Sequence, residues 1–350
     1  MIRNLLKAGA ARVLTGTRMD RVLGSLTGSG HLPLILGYHR VVEKYSESVR
    51  TAVPSLLISI RMLERHLDWV GQRYQFVDLD DLGTRLESGE PIQRPLAAVT
   101  FDDGYSDFYH HAAPLLRRKG IPATVFVVTD FVGTNEPQMH DVLYLLLVRR
   151  GAEAVPTPLS VRGFPNLKGM TPYRLLRVLI ETLSVSALKE IIRVLQAEAP
   201  IDKRELESIR SLNWEELKRA RGEGFVIGSH TKSHIVMTNE APPCIEKELL
   251  ESRYALENRL GKPIRHFAYP SGLFNAMSVK AVAAAGYRFG YTGCSHRSTV
   301  HPLLTVPRTV LWENSSLDSR NAFSASVLSC QVHRAFDLVS GCRERHDAVN

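Results

Sequence analysis

Two adjacent carboxylates, Asp102 and Asp103, close the run Leu96 to Phe101 and are followed at once by Gly104. A short apolar run of this kind reads as a buried strand, and the glycine marks a sharp turn of the backbone. Successive side chains of a strand point to opposite faces. The two carboxylates at its end can therefore do different work, one binding a metal while the other stays free to move a proton. An acidic N-cap at a strand-to-helix turn would give the same letters. A second stretch, FVIGSHTKSH, sets His230 and His234 at i and i+4 after another apolar run. That spacing puts two imidazoles on one face of a helix or tight loop. Zinc accepts histidine nitrogen at about 2.0–2.1 Å and in catalytic sites commonly keeps three protein ligands and a water; two histidines and one aspartate complete such a set. In a third stretch, FAYPSG, Pro270 and Gly272 shape a turn whose backbone N–H groups, that of Ser271 first, could hold a developing oxyanion. An ordinary Pro-Gly turn has the same composition.

These residues need elements that bring them together. Leu32 to Val42 is an apolar run carrying Tyr38, His39 and Arg40 at its end. Met62 to Tyr74 has helical spacing, with Leu63, Leu67 and Val70 on one face. Phe76 to Leu82 reads as a short strand and turn. A helix is expected from about Phe108 to Lys119, stopped by Gly120 and Pro122, and the β-branched run Ala123 to Thr129 as a strand. Residues 131–215 change character: Asp141 to Arg149, Pro172 to Ser184 and Ala187 to Glu198 look helical, broken by a Gly/Pro-rich piece from Gly151 to Gly169. Helices follow at Asn213 to Arg221, Glu246 to Leu260 and Ala276 to Ala285, interleaved with strand-like runs. Strands alternating with helices imply a parallel sheet covered on its faces. The expected class is α/β, a TIM-like barrel, seven-stranded and irregular, with a mainly helical insertion. Such barrels place chemistry at the C-terminal ends of their strands, where YHR, DD, SHTKSH and YPSG all fall.

Together the three stretches resemble the polysaccharide deacetylases, the family with the NodB homology domain (carbohydrate esterase family 4). Its first motif, TFDDG, is matched by Thr100, Phe101, Asp102, Asp103 and Gly104; its second, H-(S/T)-x-x-H, by His230, Thr231 and His234; its third, ending P-x-G, by Pro270, Ser271 and Gly272. The resemblance spans roughly His31 to Asn314, and FAYPSG with the early YHRV is most like the branch acting on exopolysaccharides rich in N-acetylglucosamine. It implies a divalent metal, zinc first, held by Asp103, His230 and His234; Asp102 as general base; the Ser271 N–H at the oxyanion; and Thr231 bracing the metal loop. It also implies an N-acetylated glycan as substrate. Many members carry an arginine at the start of the third motif that holds the catalytic aspartate. Here that position is Ala268, so a replacement is expected from elsewhere, Arg308 first and Arg265 second. The family's late Leu-x-His, which supplies a leaving-group acid, is not found as such, and His39 is the candidate to occupy its space. Tyr269, Tyr291 and Trp312 are candidates to stack on sugar rings. The same site could serve another amide, such as a formyl-amino sugar on a lipid carrier. A non-catalytic sugar-binding component of an export assembly is a different class, against which the four intact residues argue.

Composition is that of a globular chain: 350 residues, 44% hydrophobic and 23% charged. The net charge of +8 favours acidic partners or a membrane surface. Lys and Arg are spread along the chain rather than clustered, so no nucleic-acid partner is expected. The four cysteines show no CxxC spacing and support neither a disulfide framework nor a structural zinc site. Residues 1–30 form a basic segment in which Leu5, Leu6, Val13, Leu14, Val22, Leu23 and Leu26 could make an amphipathic helix with peripheral membrane contact; a helix packed on the domain is the alternative. Residues 31–315 are the expected barrel, with the insertion at about 131–215, and 316–350 a polar tail. No run has the length of a membrane span or the apolar core of a signal peptide, which makes the cytoplasm the expected location.

Overall fold

The apolar runs become short strands buried on both faces, the pattern of a parallel sheet covered by helices. In chain order they are β1 (Leu34–Tyr38), β2 (Arg40–Val42), β3 (Leu57–Ser59), β4 (Gln75–Phe76), β5 (Leu96–Phe101), β6 (Thr124–Val127), β7 (Val226–Ser229), β8 (His266–Ala268), β9 (Phe289–Thr292), β10 (Val306–Pro307) and β11 (Thr309–Val310). This computed structural model describes residues 2–26, 32–89, 92–151, 155, 167 and 169–337. Most of the expected Gly/Pro-rich break, residues 338–350 of the expected tail, and the side chains of Leu5 and Leu26 lie outside that description.

The strands pair in the order β10-β9-β8-β7-β6-β5-β1-β11, all parallel, with β4 added at the start of β5 and β2 with β3 forming a separate ribbon. β10 and β11 are separated by Arg308 alone, so the two ends of the path meet there and the sheet closes into a barrel. Counting them as halves of one broken strand, the eight segments of the path make a ring of seven. Side chains alternate as a pleat requires. Leu34, Leu36 and Tyr38 of β1, and Ala97, Val99 and Phe101 of β5, face the surrounding helices. Ile35, Ala98, Phe126, Ala268, Phe289 and Tyr291 meet in the lumen. By the same alternation Thr100 and Asp102 follow Leu96 and Ala98 inward.

The helix Leu79–Ser88, where a short strand and turn were expected, plugs the end at which the strands begin. Asp78 caps it by accepting the Asp81 N–H at 2.7 Å, and Leu79 and Leu82, three apart on one face, join the lumen cluster. The expected helix from Phe108 opens with one wide turn, Phe108–Ala112, before Ala113–Lys119, and Gly120 ends it in the left-handed conformation. The insertion has its own core: Leu143, Leu146 and Leu147 of Met139–Arg150 pack with Leu175 and Leu179 of Pro172–Thr182 and with Leu188 and Ile191 of Val185–Glu198. The stretch read as a polar tail carries the helix Ala325–Val332, which buries Val327, Leu328 and Cys330 and packs on the first helix, Ile2–Gly16.

At the end of β5, Asp103 and Gly104 both take positive φ, +69° each, and a Cβ on Gly104 would lie 2.8 Å from Val127 Cγ1. Gly120 has a similar φ of +64° but open space around it. Gly104→Ala should therefore cost about 2–3 kcal/mol in urea unfolding, strain plus clash, and Gly120→Ala only about 1 kcal/mol. Equal losses would show that β6 does not hold the turn as described.

Candidate active site

The left-handed turn swings Asp103 off the strand toward β7. Its Oδ1 lies 3.3 Å from His234 Nε2 and 3.5 Å from His230 Nε2, and one ligand atom from each of the three residues falls within 4.8 Å of the others. His230 follows β7 directly, with its N–H on Val127 O at 3.0 Å. Its Nδ1–H donates to Ala268 O at 2.8 Å, which leaves the Nε2 lone pair facing Asp103. Burial pushes its pKa down to about 4, so the ring is neutral, as a ligand must be. For His234 burial acts in the same direction, but the Asp103 carboxylate outweighs it and raises the pKa. Asp103 Oδ1 is buried with no hydrogen bond of its own. An unsatisfied buried carboxylate oxygen facing two imidazole nitrogens is the environment that a divalent cation satisfies; the residues fit the metal that the motifs imply.

The loop after β7 is strained and braced. Thr231 and His234 have φ of +66° and +61°. Glu248 of the helix Pro242–Leu260 accepts the N–H groups of Lys232 and Ser233 at 2.9 and 2.8 Å and the Ser233 hydroxyl at 2.7 Å. Glu248, not Thr231, is the brace. The Thr231 side chain is buried without a hydrogen bond, and only its backbone oxygen is used, by Thr129 N–H at 3.4 Å.

Asp102 points into the lumen and meets Arg308 there. The guanidinium grips the carboxylate through both oxygens, Nη1 to Oδ1 at 2.6 Å and Nη2 to Oδ2 at 2.7 Å. Nη1 also donates to Thr100 Oγ1 at 3.0 Å, and the cation sits 5.3 Å from the Phe126 ring centre. Burial alone would raise the pKa of Asp102; Arg308 outweighs it and holds the carboxyl below the usual range. Arg265 is not near. It immediately precedes β8 at the opposite end of the barrel, bound to Asp80 at 3.2 Å.

On the far side of Asp103 lies a group that the motifs did not signal. Gln138 Nε2 donates to Asp103 O at 3.0 Å. His140 Nε2 stands 3.8 Å from Asp103 Oδ2 and 2.7 Å from the Tyr105 hydroxyl, which donates to Asp141 Oδ2 at 2.5 Å. All four are buried. Gln138, His140 and Asp141 open an otherwise apolar helix of the insertion, and that contrast was the available signal.

His39, Asp103, His140, His230, His234 and Ser271 line one cavity of about 230 Å³. The insertion supplies part of its wall through Tyr173, Arg177 and Glu181. His39 Nε2 is 4.0 Å from Asp102 Oδ2, and its Nδ1 is buried without a partner. Ser271 is exposed at φ +56°. The aromatic candidates are elsewhere. Tyr269 follows Ala268 on the pleat and so points outward, packed on Phe267 and Phe274. Tyr291 faces the lumen, fully buried, its hydroxyl 2.9 Å from His266 Nδ1. Trp312 is half-buried and outside the cavity lining.

A parallel barrel with a carboxylate, a second carboxylate and two imidazoles at one mouth defines a hydrolase-like site. The chain belongs to the polysaccharide deacetylase family, whose model matches residues 90–157 and 175–290. It is similar to YxkH of Bacillus subtilis (strain 168), named for the same family, at 20% identity over 239 residues, 68% of this chain and 59% of that protein. The chain thus spans less than two thirds of that relative's length. Among solved structures it resembles Streptococcus pyogenes deacetylase PplD, determined in complex with acetate (19% identity, 83% of this chain and 95% of that one, TM-score 0.54). It also resembles IcaB from Ammonifex degensii (18% identity, 87% and 98%, TM-score 0.55). At these identities the likeness is one of fold.

Removing the guanidinium would strand a buried carboxylate. Arg308→Leu should lose about 3–5 kcal/mol at pH 7. In the wild type the folded-state pKa of Asp102 lies below its unfolded value, so the pair stabilises above the unfolded pKa and that contribution is lost as pH falls. In the variant burial dominates and the folded pKa lies above the unfolded one, so the deficit should narrow as pH drops toward the carboxylate range. Urea midpoints for both proteins across pH check this; a deficit independent of pH would contradict the pairing.

Proposed function

We propose that this chain is a metal-dependent hydrolase that removes N-acetyl groups from an amino-sugar polysaccharide or oligosaccharide, releasing acetate and a free amine. The observation that carries the reading is a carboxylate, Asp102, held ionised by Arg308 and directly preceding the aspartate of an Asp-His-His set that lines one cavity. Asp103, His230 and His234 would hold the ion, and a nitrogen-rich set with one oxygen suits zinc among the divalent metals. When bound, such an ion polarises the acetamide carbonyl and lowers the pKa of water.

Asp102 takes the proton of the attacking water. The water oxygen adds to the acetyl carbon, and the Ser271 N–H offers a donor to the resulting oxyanion. His39 hands a proton to the sugar nitrogen as the C–N bond breaks, and acetate and amine leave. Arg308 orients Asp102 and keeps it deprotonated; a lysine could supply the charge but not the two-pronged grip. Tyr173, Arg177 and Glu181 of the insertion face the cavity and would meet the sugar next to the acetyl group. The resemblance to the exopolysaccharide branch makes a polymer of N-acetylglucosamine the substrate to try first.

Zinc-loaded protein should release acetate from N-acetylglucosamine oligomers, and Asp102→Asn should lower turnover by about 10²–10⁴-fold, the usual worth of a general base. Near wild-type turnover in that variant, or no acetate from any glycan, would reject the reading. Arg308→Lys should shift the acid limb of the pH–rate profile to higher pH, because the base must be deprotonated and its pKa rises once the guanidinium is gone. A profile that overlays wild type would separate Arg308 from the chemistry.

A further inference from the structure

The first two helices, Ile2–Gly16 and Met19–Leu26, carry large apolar residues on their outer face as well as on their inner one. A surface helix normally turns its large apolar residues to the core and its polar residues to water. Here the faces packed on Ala325–Val332 carry Ala8, Ala11 and Asp20, all buried, with Asp20 accepting the Ser329 hydroxyl at 2.6 Å. Leu14 and Leu23 pack half-buried on the same cluster, but four large apolar side chains point out: Leu6 and Val13 are each 66% exposed, Val22 49% and Met19 42%. Leu6, Gly9, Ala10 and Val13 fall at i, i+3, i+4 and i+7 and are all exposed, one continuous apolar stripe. Among the described residues eight large hydrophobics are exposed, and these four of them sit in this hairpin. The hairpin's sole acid, Asp20, is turned inward, whereas Arg12, Arg18 and Arg21 are exposed.

We propose that this hairpin is a docking surface for an anionic phospholipid bilayer. Outward Leu, Val and Met beside outward arginines, with no outward carboxylate within the hairpin itself, match a membrane interface with its acyl boundary and negative headgroups. The contact lies in the plane of the membrane, since no helix among the described residues is long and apolar enough to cross one. The charge pattern favours lipid over a second copy of the same basic surface, which would bring arginines against arginines. The proposal does not depend on the deacetylase reading.

Sedimentation with vesicles tests it. The full chain should bind vesicles of phosphatidylglycerol and phosphatidylcholine at least about tenfold more tightly than phosphatidylcholine alone, and salt should weaken the binding. The double variant Leu6→Gln/Val13→Gln should lose about tenfold in affinity. Arg12→Gln/Arg18→Gln/Arg21→Gln should lose the preference for phosphatidylglycerol. All five positions are exposed and lie outside the buried face, so unfolding midpoints should stay at the wild-type value. No binding to phosphatidylglycerol vesicles, variants that bind as wild type, or a self-association that the Leu6/Val13 variant abolishes in the absence of lipid binding would each overturn the proposal.

Discussion

The barrel closes at the residue that grips its inward carboxylate. β10 pairs with β9 and β11 with β1, and Arg308 stands between them. Its N–H bonds to Thr292 O at 3.0 Å, and the next strand residues register with β1. Its side chain is buried, and its two terminal nitrogens bond to Asp102 and Thr100 while Nε has no hydrogen-bond partner. Ring closure and the ionisation of Asp102 are therefore one constraint. A buried arginine is tolerable only with a buried anion, and a buried aspartate stays charged only with a buried cation.

The division of labour between the two aspartates follows from the backbone. Asp102 is the last residue obeying the pleat and so faces the lumen; Asp103, one residue on, is turned by a left-handed conformation toward β7. Seven non-glycine residues have positive φ among the described ones, and Asp103, Thr231, His234 and Ser271 are four of them. Strain of this kind persists only where surrounding contacts over-determine it. Here those contacts are Gln138 on the Asp103 carbonyl, Glu248 on the loop after β7, and the tight approach of Gly272 to Gly293, where a Cβ would lie 2.8 Å from the backbone nitrogen.

The barrel and the Asp-His-His cluster were legible because their signals are local. An apolar run ending in carboxylates, or two histidines at i and i+4, carries its own geometry. Alternation was legible too, and applied to Tyr269 and Tyr291 it would have removed them as sugar contacts: one faces the helices and the other fills the lumen. What sequence could not display were partners brought by distant elements. Glu248 reaches the loop after β7 from a helix face, and Gln138 and His140 arrive from the insertion. Arg308 was reachable only by noticing that Ala268 lacks a charge that the site needs. The amphipathic first helix was legible as a basic segment, but which of its apolar residues face outward was not. Leu6, Val13, Leu14, Val22 and Leu23 read alike in the sequence, and only packing separates Leu14 and Leu23, which join Ala8 and Ala11 on the inner face, from Leu6, Val13 and Val22, which stay outside.

Asp103, His230 and His234 are proposed to form a single metal site whose integrity is separate from the Asp102–Arg308 pair. Calorimetric titration of metal-stripped protein with zinc measures this without any assumption about substrate. One ion per chain should bind, the binding should be lost in His230→Ala, and it should survive in Asp102→Asn. Binding that persists undiminished in His230→Ala, or that vanishes in Asp102→Asn while the fold is intact, would contradict the account.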